Sequence, residues 1–143
     1  MQLTEIKKAL GGEKVLRKKI KDRIDLIELS DKGLTKDALT HLANYLSLSL
    51  SQISKLLPIT ERTVLRYASN KHFNNFVSEH ILQIAEVAIR GVEVFEDKDK
   101  FIKWMNHPSK ALAKKTPLSL LKSRFGIAMV LDELGRIEHG IFA

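Results

Sequence analysis

Arg62 and Arg66 lie four residues apart with Thr60, Thr63 and Ser69 around them, so on a helix the guanidinium groups and hydroxyls would share an outward face. Arginine can hold the O6 and N7 of guanine bidentately, and threonine or serine can reach phosphates and base edges, which makes nucleic-acid recognition the chemistry open to this set. No comparable set supports catalysis. His41, His72, His80, His107 and His139 are scattered, cysteine is absent, and no glycine-rich phosphate loop occurs. The run Glu96-Asp97-Lys98-Asp99-Lys100 alternates acids with lysines but lacks the glycine and closing glutamate of a calcium loop, and it reads as a solvated corner. A binding protein is expected, not an enzyme, with no metal or cofactor.

The stretch from Ser49 to Ser69 must position those arginines. Ser49 can cap a first helix, and Gln52 three residues on can complete a capping box. Leu57-Pro58-Ile59 interrupts the pattern, because Pro58 lacks an amide hydrogen and disfavours helical geometry at Leu57. Thr60 can then cap a second helix, with Ile59 and Val64 at the staple positions that fix its angle of entry. Val64, Tyr67 and Ala68 should face inward, leaving Thr60, Glu61, Arg62, Thr63, Arg66 and Ser69 outside. This is the pattern of a helix-turn-helix.

The composition bounds the rest. A chain of 143 residues, 44% hydrophobic, with 7 glycines and 3 prolines, favours helices over strands and turns, so a nearly all-α protein is expected. The lack of cysteine excludes a disulfide framework and a thiolate zinc site. No apolar run approaches a membrane span and the first residues are polar and charged, so a cytoplasmic protein without a membrane partner is expected. A net charge of +7 permits a polyanionic partner, with basic residues concentrated at 14–23 and 98–115.

Along the chain, residues 1–21 read as an N-terminal arm with little structure of its own, and residues 22–75 as the helix-turn-helix domain. Within the latter, Ile24, Leu26, Ile27 and Leu29 form one expected helical face ending at Gly33. Thr35 should cap a helix whose stripe is Ala38, Leu39, Leu42, Ala43 and Leu46, with His41 on its surface. Residues 76–96 read as a connecting helix apolar on more than one side, which implies a homodimer or larger assembly. In the final domain, 97–143, Asp97 or Asp99 should cap a helix holding Phe101, Ile102, Trp104 and Met105, stopped at His107-Pro108. Thr116-Pro117 opens another carrying Leu118, Leu120 and Leu121, Gly126 should break it, and a last helix should end near Gly135 or Gly140. Ile141-Phe142-Ala143 is an apolar ending that either packs back or is received by a partner.

The string Phe101-Ile-Lys-Trp104, Pro108, Ala111-Leu112, Thr116-Pro117-Leu118, Leu120-Leu121, Gly126, Val130 and Leu134-Gly135-Arg136-Ile137-Glu138-His139-Gly140-Ile141 resembles the C-terminal toxin-binding domain of the Xre/MbcA/ParS antitoxins. Upstream, Lys32-Gly33-Leu34, positions 50–57 and Ile59-Thr60-Glu61-Arg62-Thr63 are similar to the Xre-type helix-turn-helix of that family, although Pro58 stands where many such units have glycine. The resemblance implies a type II antitoxin whose usual partner is a RES-domain toxin that consumes NAD, and a helix-turn-helix that represses the operon encoding both. By carry-over, Gln52, Thr60, Arg62, Thr63 and Arg66 are the candidate contacts to operator DNA. Arg136, Glu138, His139, Ile141, Phe142 and the Ala143 carboxylate are the candidate toxin contacts. Trp104, Pro108, Thr116, Pro117, Gly126 and Gly135 are expected to maintain the domain instead. After the second helix the chain runs Arg66-Tyr67-Ala68-Ser69-Asn70, less basic than relatives often are. The alternative reading is therefore a protein-binding and dimerisation module whose helix-turn-helix does not bind DNA.

Overall fold

A short polar side chain that can accept a free backbone amide precedes each of the longer helices and sets where it begins. The computed structural model describes residues 3–140. Along it run α1 (Leu3–Ala9), a 3-10 turn (Gly12–Lys14), α2 (Arg23–Lys32), α3 (Lys36–Tyr45), α4 (Leu50–Ser54), α5 (Glu61–Arg66), α6 (Asn75–Phe95), α7 (Lys98–Met105), a second 3-10 turn (Lys110–Leu112), α8 (Pro117–Leu120) and α9 (Arg124–Glu138). The caps from α2 onward are Asp22, Thr35, Ser49, Thr60, Asn74, Asp97, Thr116 and Ser123, each accepting from an amide in the first turn. Among the described residues the only extended pairings are the isolated bridges Thr35 with His72 and Ser109 with Lys115. The fold is all-α, as composition and spacing imply.

The chain divides into two compact units, one ending at Glu86 and one beginning at Val87, so the division falls inside α6. In the first unit α3 supplies the interior, with Ala38, Leu39, Leu42, Ala43 and Leu46 all buried. The residues read as an arm are instead part of this unit. Ile6, Ala9, Leu10, Leu16 and Ile20 are buried and α1 packs on α3. Gly11 and Gly12, both at positive φ, turn the chain sharply after α1. Leu3, Ile6 and Leu10 at helical spacing, closed by Gly11-Gly12, mark a short amphipathic piece in the sequence, but nothing within residues 1–21 identifies α3 as the surface that covers it.

The reading of α2 also needs correction. Leu26, Leu29 and Ser30 form its buried side, whereas Ile24 and Ile27 are 60% and 55% exposed. Four apolar residues in six positions cannot share one stripe, and the i, i+3, i+4 set that meets α2's neighbours prevailed. In α6 the apolar residues from Val77 to Ile89 are buried, and Phe76 alone of its large hydrophobic side chains is strongly exposed. The surplus apolar surface expected of this helix is therefore covered.

In the second unit Phe101 is fully buried in α7 and lies against the backbone of Gly91, where a Cβ would come within 2.0 Å of its ring. Phe95, Phe101 and Trp104 form an aromatic cluster with centroids 5.5 to 6.3 Å apart. Trp104 thus maintains the unit by packing, as its size suggests. Gly126 does not break a helix. It lies in the first turn of α9, and a Cβ there would stand 1.8 Å from the Leu120 carbonyl oxygen, so its missing side chain lets α8 and α9 touch. Gly135 lies within α9, which continues to Glu138.

Candidate functional site

In the first unit α4 and α5 form the helix-turn-helix. Ser49 Oγ accepts from Gln52 N at 3.0 Å while Gln52 Oε1 accepts from Ser49 N at 2.8 Å, so the capping box is complete. Thr60 Oγ1 accepts from Thr63 N at 3.2 Å, and the two threonine hydroxyls share a hydrogen bond of 2.7 Å. Ile53, Ser54, Leu57 and Val64 are buried beneath. Tyr67 is half-buried, stacked 5.3 Å from Phe73, but Ala68 is exposed, because α5 ends at Arg66 and the chain leaves helical geometry at Tyr67.

A connection invisible to periodicity fixes the end of α5. Lys36 Nζ donates to the carbonyls of Tyr67 at 2.7 Å and Leu65 at 3.2 Å, placing a cation at the negative end of a helix. The first amides of α3 donate outward too, Lys36 N to Lys71 O and Asp37 N to Ser69 O. Leu34 N donates to the buried Ser78 Oγ at 2.8 Å, and Phe73 N to Leu34 O at 2.8 Å. Gly33 at φ 93° permits this crossing, since a Cβ would meet the Phe73 carbonyl oxygen at 2.3 Å. Arg62 and Arg66 therefore stand exposed on a helix held at both ends. Arg66 also borders an open depression with Tyr67, Asn70, Lys71 and His72. Helical periodicity does not point to Lys71, which lies beyond the helix in the turn that Lys36 organises.

In the second unit the last turn of α9 carries three of the candidate toxin contacts. Glu138 accepts two hydrogen bonds from the Arg90 guanidinium, at 2.5 and 2.7 Å, and this pairing holds its carboxyl below the usual glutamate range. Arg90 is raised correspondingly by the same hydrogen bonds. Arg136, two residues before Glu138 and so on the other side of the helix, is exposed and donates to Glu133 at 2.8 Å. His139 is exposed at the helix end. The structure thus separates residues that the sequence grouped, since Glu138 fastens the helix while Arg136 and His139 face solvent. Ile141, Phe142 and Ala143 lie outside the described residues. Arg90 could not be matched to Glu138 from sequence, because 48 positions separate them. Pro108 is exposed, while Thr116 caps α8 and Pro117 is its first residue.

Residues 25–86 match the antitoxin Xre-like helix-turn-helix domain, and residues 90–140 match the antitoxin Xre/MbcA/ParS C-terminal toxin-binding domain. An antitoxin Xre of Yersinia enterocolitica is 31% identical over 120 residues, spanning 82% of this chain and 81% of that protein. An antitoxin Xre of Photorhabdus laumondii is 32% identical over 113 residues, spanning 78% and 76%. The fold is similar to a chain in the crystal structure of the M. tuberculosis MbcT-MbcA toxin-antitoxin complex, with a TM-score of 0.57 and 18% identity over 76% of this chain and 96% of that one. Two domain families matched in order and two relatives matched along most of their length establish the conclusion: the chain belongs to the Xre/MbcA/ParS family of antitoxins and acts in a toxin-antitoxin system.

Proposed function

We propose that this antitoxin neutralises a RES-type, NAD-consuming toxin by laying the end of α9 over its active site, and that α4 and α5 bring it to operator DNA to repress its own operon. The observation that carries the first part is the clamp between Arg90 and Glu138. It fixes the last turn of α9 while leaving His139 exposed and Arg136 exposed and paired only within its own helix, to Glu133, so hydrogen-bonding groups that a partner can engage stand at a fixed tip. The test is inhibition of the toxin's NAD consumption by the full chain and by one ending at Gly135. Inhibition should be lost on truncation, and equal inhibition by both would remove the tip from the mechanism.

The DNA reading is supported by Arg62 and Arg66, exposed on a doubly held helix, and by Lys71 beside Arg66. A gel shift on the protein's own promoter at two salt concentrations should show a specific, salt-sensitive complex that R62A together with R66A removes. The second reading, a helix-turn-helix serving assembly alone, is favoured by the side-chain oxygens of Gln52, Thr60 and Thr63, which local caps already use. It would be adopted if no such complex formed. Assembly into a dimer or larger species, in the cytoplasm, belongs to the same proposal. Its support is the exposed pair Ile24 and Ile27, and light scattering at the monomer mass would end it.

A further inference from the structure

The basic run at 14–23 precedes the segment that matches the helix-turn-helix domain, which begins at residue 25. Its backbone is nonetheless fixed. Val15 N and Leu16 N donate to Gly12 O at 3.1 and 2.9 Å, Leu16 and Ile20 are buried, and Lys21 N donates to Asp25 Oδ2 at 2.8 Å. Lys18 bridges to Asp25 and Glu28 on α2, so its charge is already met. Arg17 and Lys32 differ. Both are exposed and, among the described residues, neither pairs with a carboxylate. They border one cleft of about 220 Å3 whose walls are Val15, Leu16, Leu29 and His72. His72 Nδ1 donates to Gly33 O at 2.7 Å, and the same side chain borders the depression beside Arg66 and Lys71. No aspartate or glutamate lines either one. The other carboxylates of these segments are engaged elsewhere, Glu13 with Lys7, Asp31 with Asn75 and Asp37 beside His41.

We propose that Arg17 and Lys32 hold a backbone phosphate of operator DNA in this cleft, so that the segment before the helix-turn-helix is a second DNA contact, joined to α5 by way of His72. This inference rests on the DNA reading above and extends it to Arg17, which lies outside the matched domain. Size and charge select the ligand. At about 30 Å3 per water the cleft has room for a phosphate group with part of its hydration shell. Arginine and lysine are donors with no acceptor, which suits a phosphodiester, and cations of one sign beside apolar walls concentrate the field within a cleft. Continuity favours nucleic acid over an acidic protein. Arg66 and Lys71 border one depression, Arg17 and Lys32 the other, and His72 belongs to both. DNA, with one charge per about 1.7 Å of its axis, is a polyanion regular enough to meet all four cations.

The test is fluorescence anisotropy of the full chain on its own promoter duplex and on a scrambled duplex, across a series of salt concentrations. The chains compared are wild type, R17A/K32A, R17K/K32R and R62A/R66A. With circular dichroism unchanged, R17A/K32A should weaken binding to both duplexes by the same factor, about tenfold at about 0.1 M salt. Its salt slope should fall by about 0.9, the value for one phosphate. R17K/K32R should recover most of the loss, whereas R62A/R66A should erase the preference for the promoter. An unchanged slope with affinity within twofold of wild type would overturn the phosphate contact and leave the α5 reading intact. So would an R17K/K32R chain as weak as the double alanine, since a charge contact survives that exchange. If R17A/K32A lost affinity for the toxin and kept it for DNA, the cleft would belong to an acidic protein surface and the proposal would fall. Failure of wild type to bind either duplex would overturn both readings together.

Discussion

Two glycines nine residues apart in α9 should respond to the same substitution with opposite sign. In G126A the new methyl carbon would stand 1.8 Å from the Leu120 carbonyl oxygen and 2.7 Å from its carbon, whereas ordinary contact begins at 3.4 Å. Backbone must therefore move by about 1.6 Å to admit it, because a carbonyl cannot rotate aside as a side chain can. Overpacking of this kind costs about 3 kcal/mol, against which alanine returns about 1 kcal/mol of helix propensity, leaving a net loss of about 2 kcal/mol. In G135A a Cβ meets nothing within 4 Å and the backbone is helical, so the propensity gain stands alone. It should stabilise by about 0.5 to 1 kcal/mol. The assay is urea unfolding followed by Trp104 emission, since this sole tryptophan lies in the same unit as α9. With a denaturant slope of about 1 kcal/mol per molar for so small a unit, G126A should lower the midpoint by about 2 M and G135A should raise it. A G126A midpoint at or above wild type would refute the claim that this glycine exists to let α8 touch α9.

Ser78 lies fully buried and its hydroxyl accepts from Leu34 N, so S78A should leave a buried amide without its partner and cost about 1 to 3 kcal/mol. Hydrogen exchange at Leu34 should accelerate accordingly, and an unchanged rate would mean that another group takes up the amide. For Glu138, the Arg90 hydrogen bonds lower the folded pKa beneath the ordinary 4.5, so the unfolded chain binds the proton more readily. The stabilisation is therefore complete above pH 4.5 and disappears as pH falls through the lower, folded value. E138Q should flatten the acid limb of the Trp104 unfolding midpoint in that window, and an acid limb identical to wild type would show that the pair contributes nothing.

Much of the scaffold was legible because its punctuation is local. Asp97, Thr35, Ser49, Thr60 and Thr116 are short oxygen-bearing residues that precede helical spacing, and each caps the helix it introduces. The misreadings share a different origin. Spacing alone puts Ile24 and Ile27 in the interior, Ala68 on the inner side of α5 and a helix end at Gly126, whereas Ile24 and Ile27 are exposed, α5 ends at Arg66 and Gly126 lies inside α9. In each case composition was right and phase or extent was wrong, because the neighbour that decides both lies far along the chain. Residues 1–21 look like an arm in the sequence for the same reason, since α3, on which α1 packs, begins at Lys36.

That asymmetry bears on the candidate surfaces more heavily than on the fold. A cap is chosen by three or four consecutive residues, but the side of a helix left to solvent is whatever remains once its long-range contacts are made. On α9 those contacts are the Gly126 approach at one end and the Arg90 clamp at the other, and neither can be inferred from the helix's own fifteen residues. Together they set its rotation. With that rotation fixed, Phe125, Met129 and Arg136 necessarily point the same way, since spacings of four and eleven residues return to one side of a helix. Glu138, thirteen residues from Phe125, necessarily turns away. The grouping of Arg136 with Glu138 by sequence proximity thus gives way to a grouping of Arg136 with Phe125 by helical phase, and the side of α9 that carries them runs from the apolar Phe125 and Met129 through the Asp132 carboxylate to the Arg136 guanidinium.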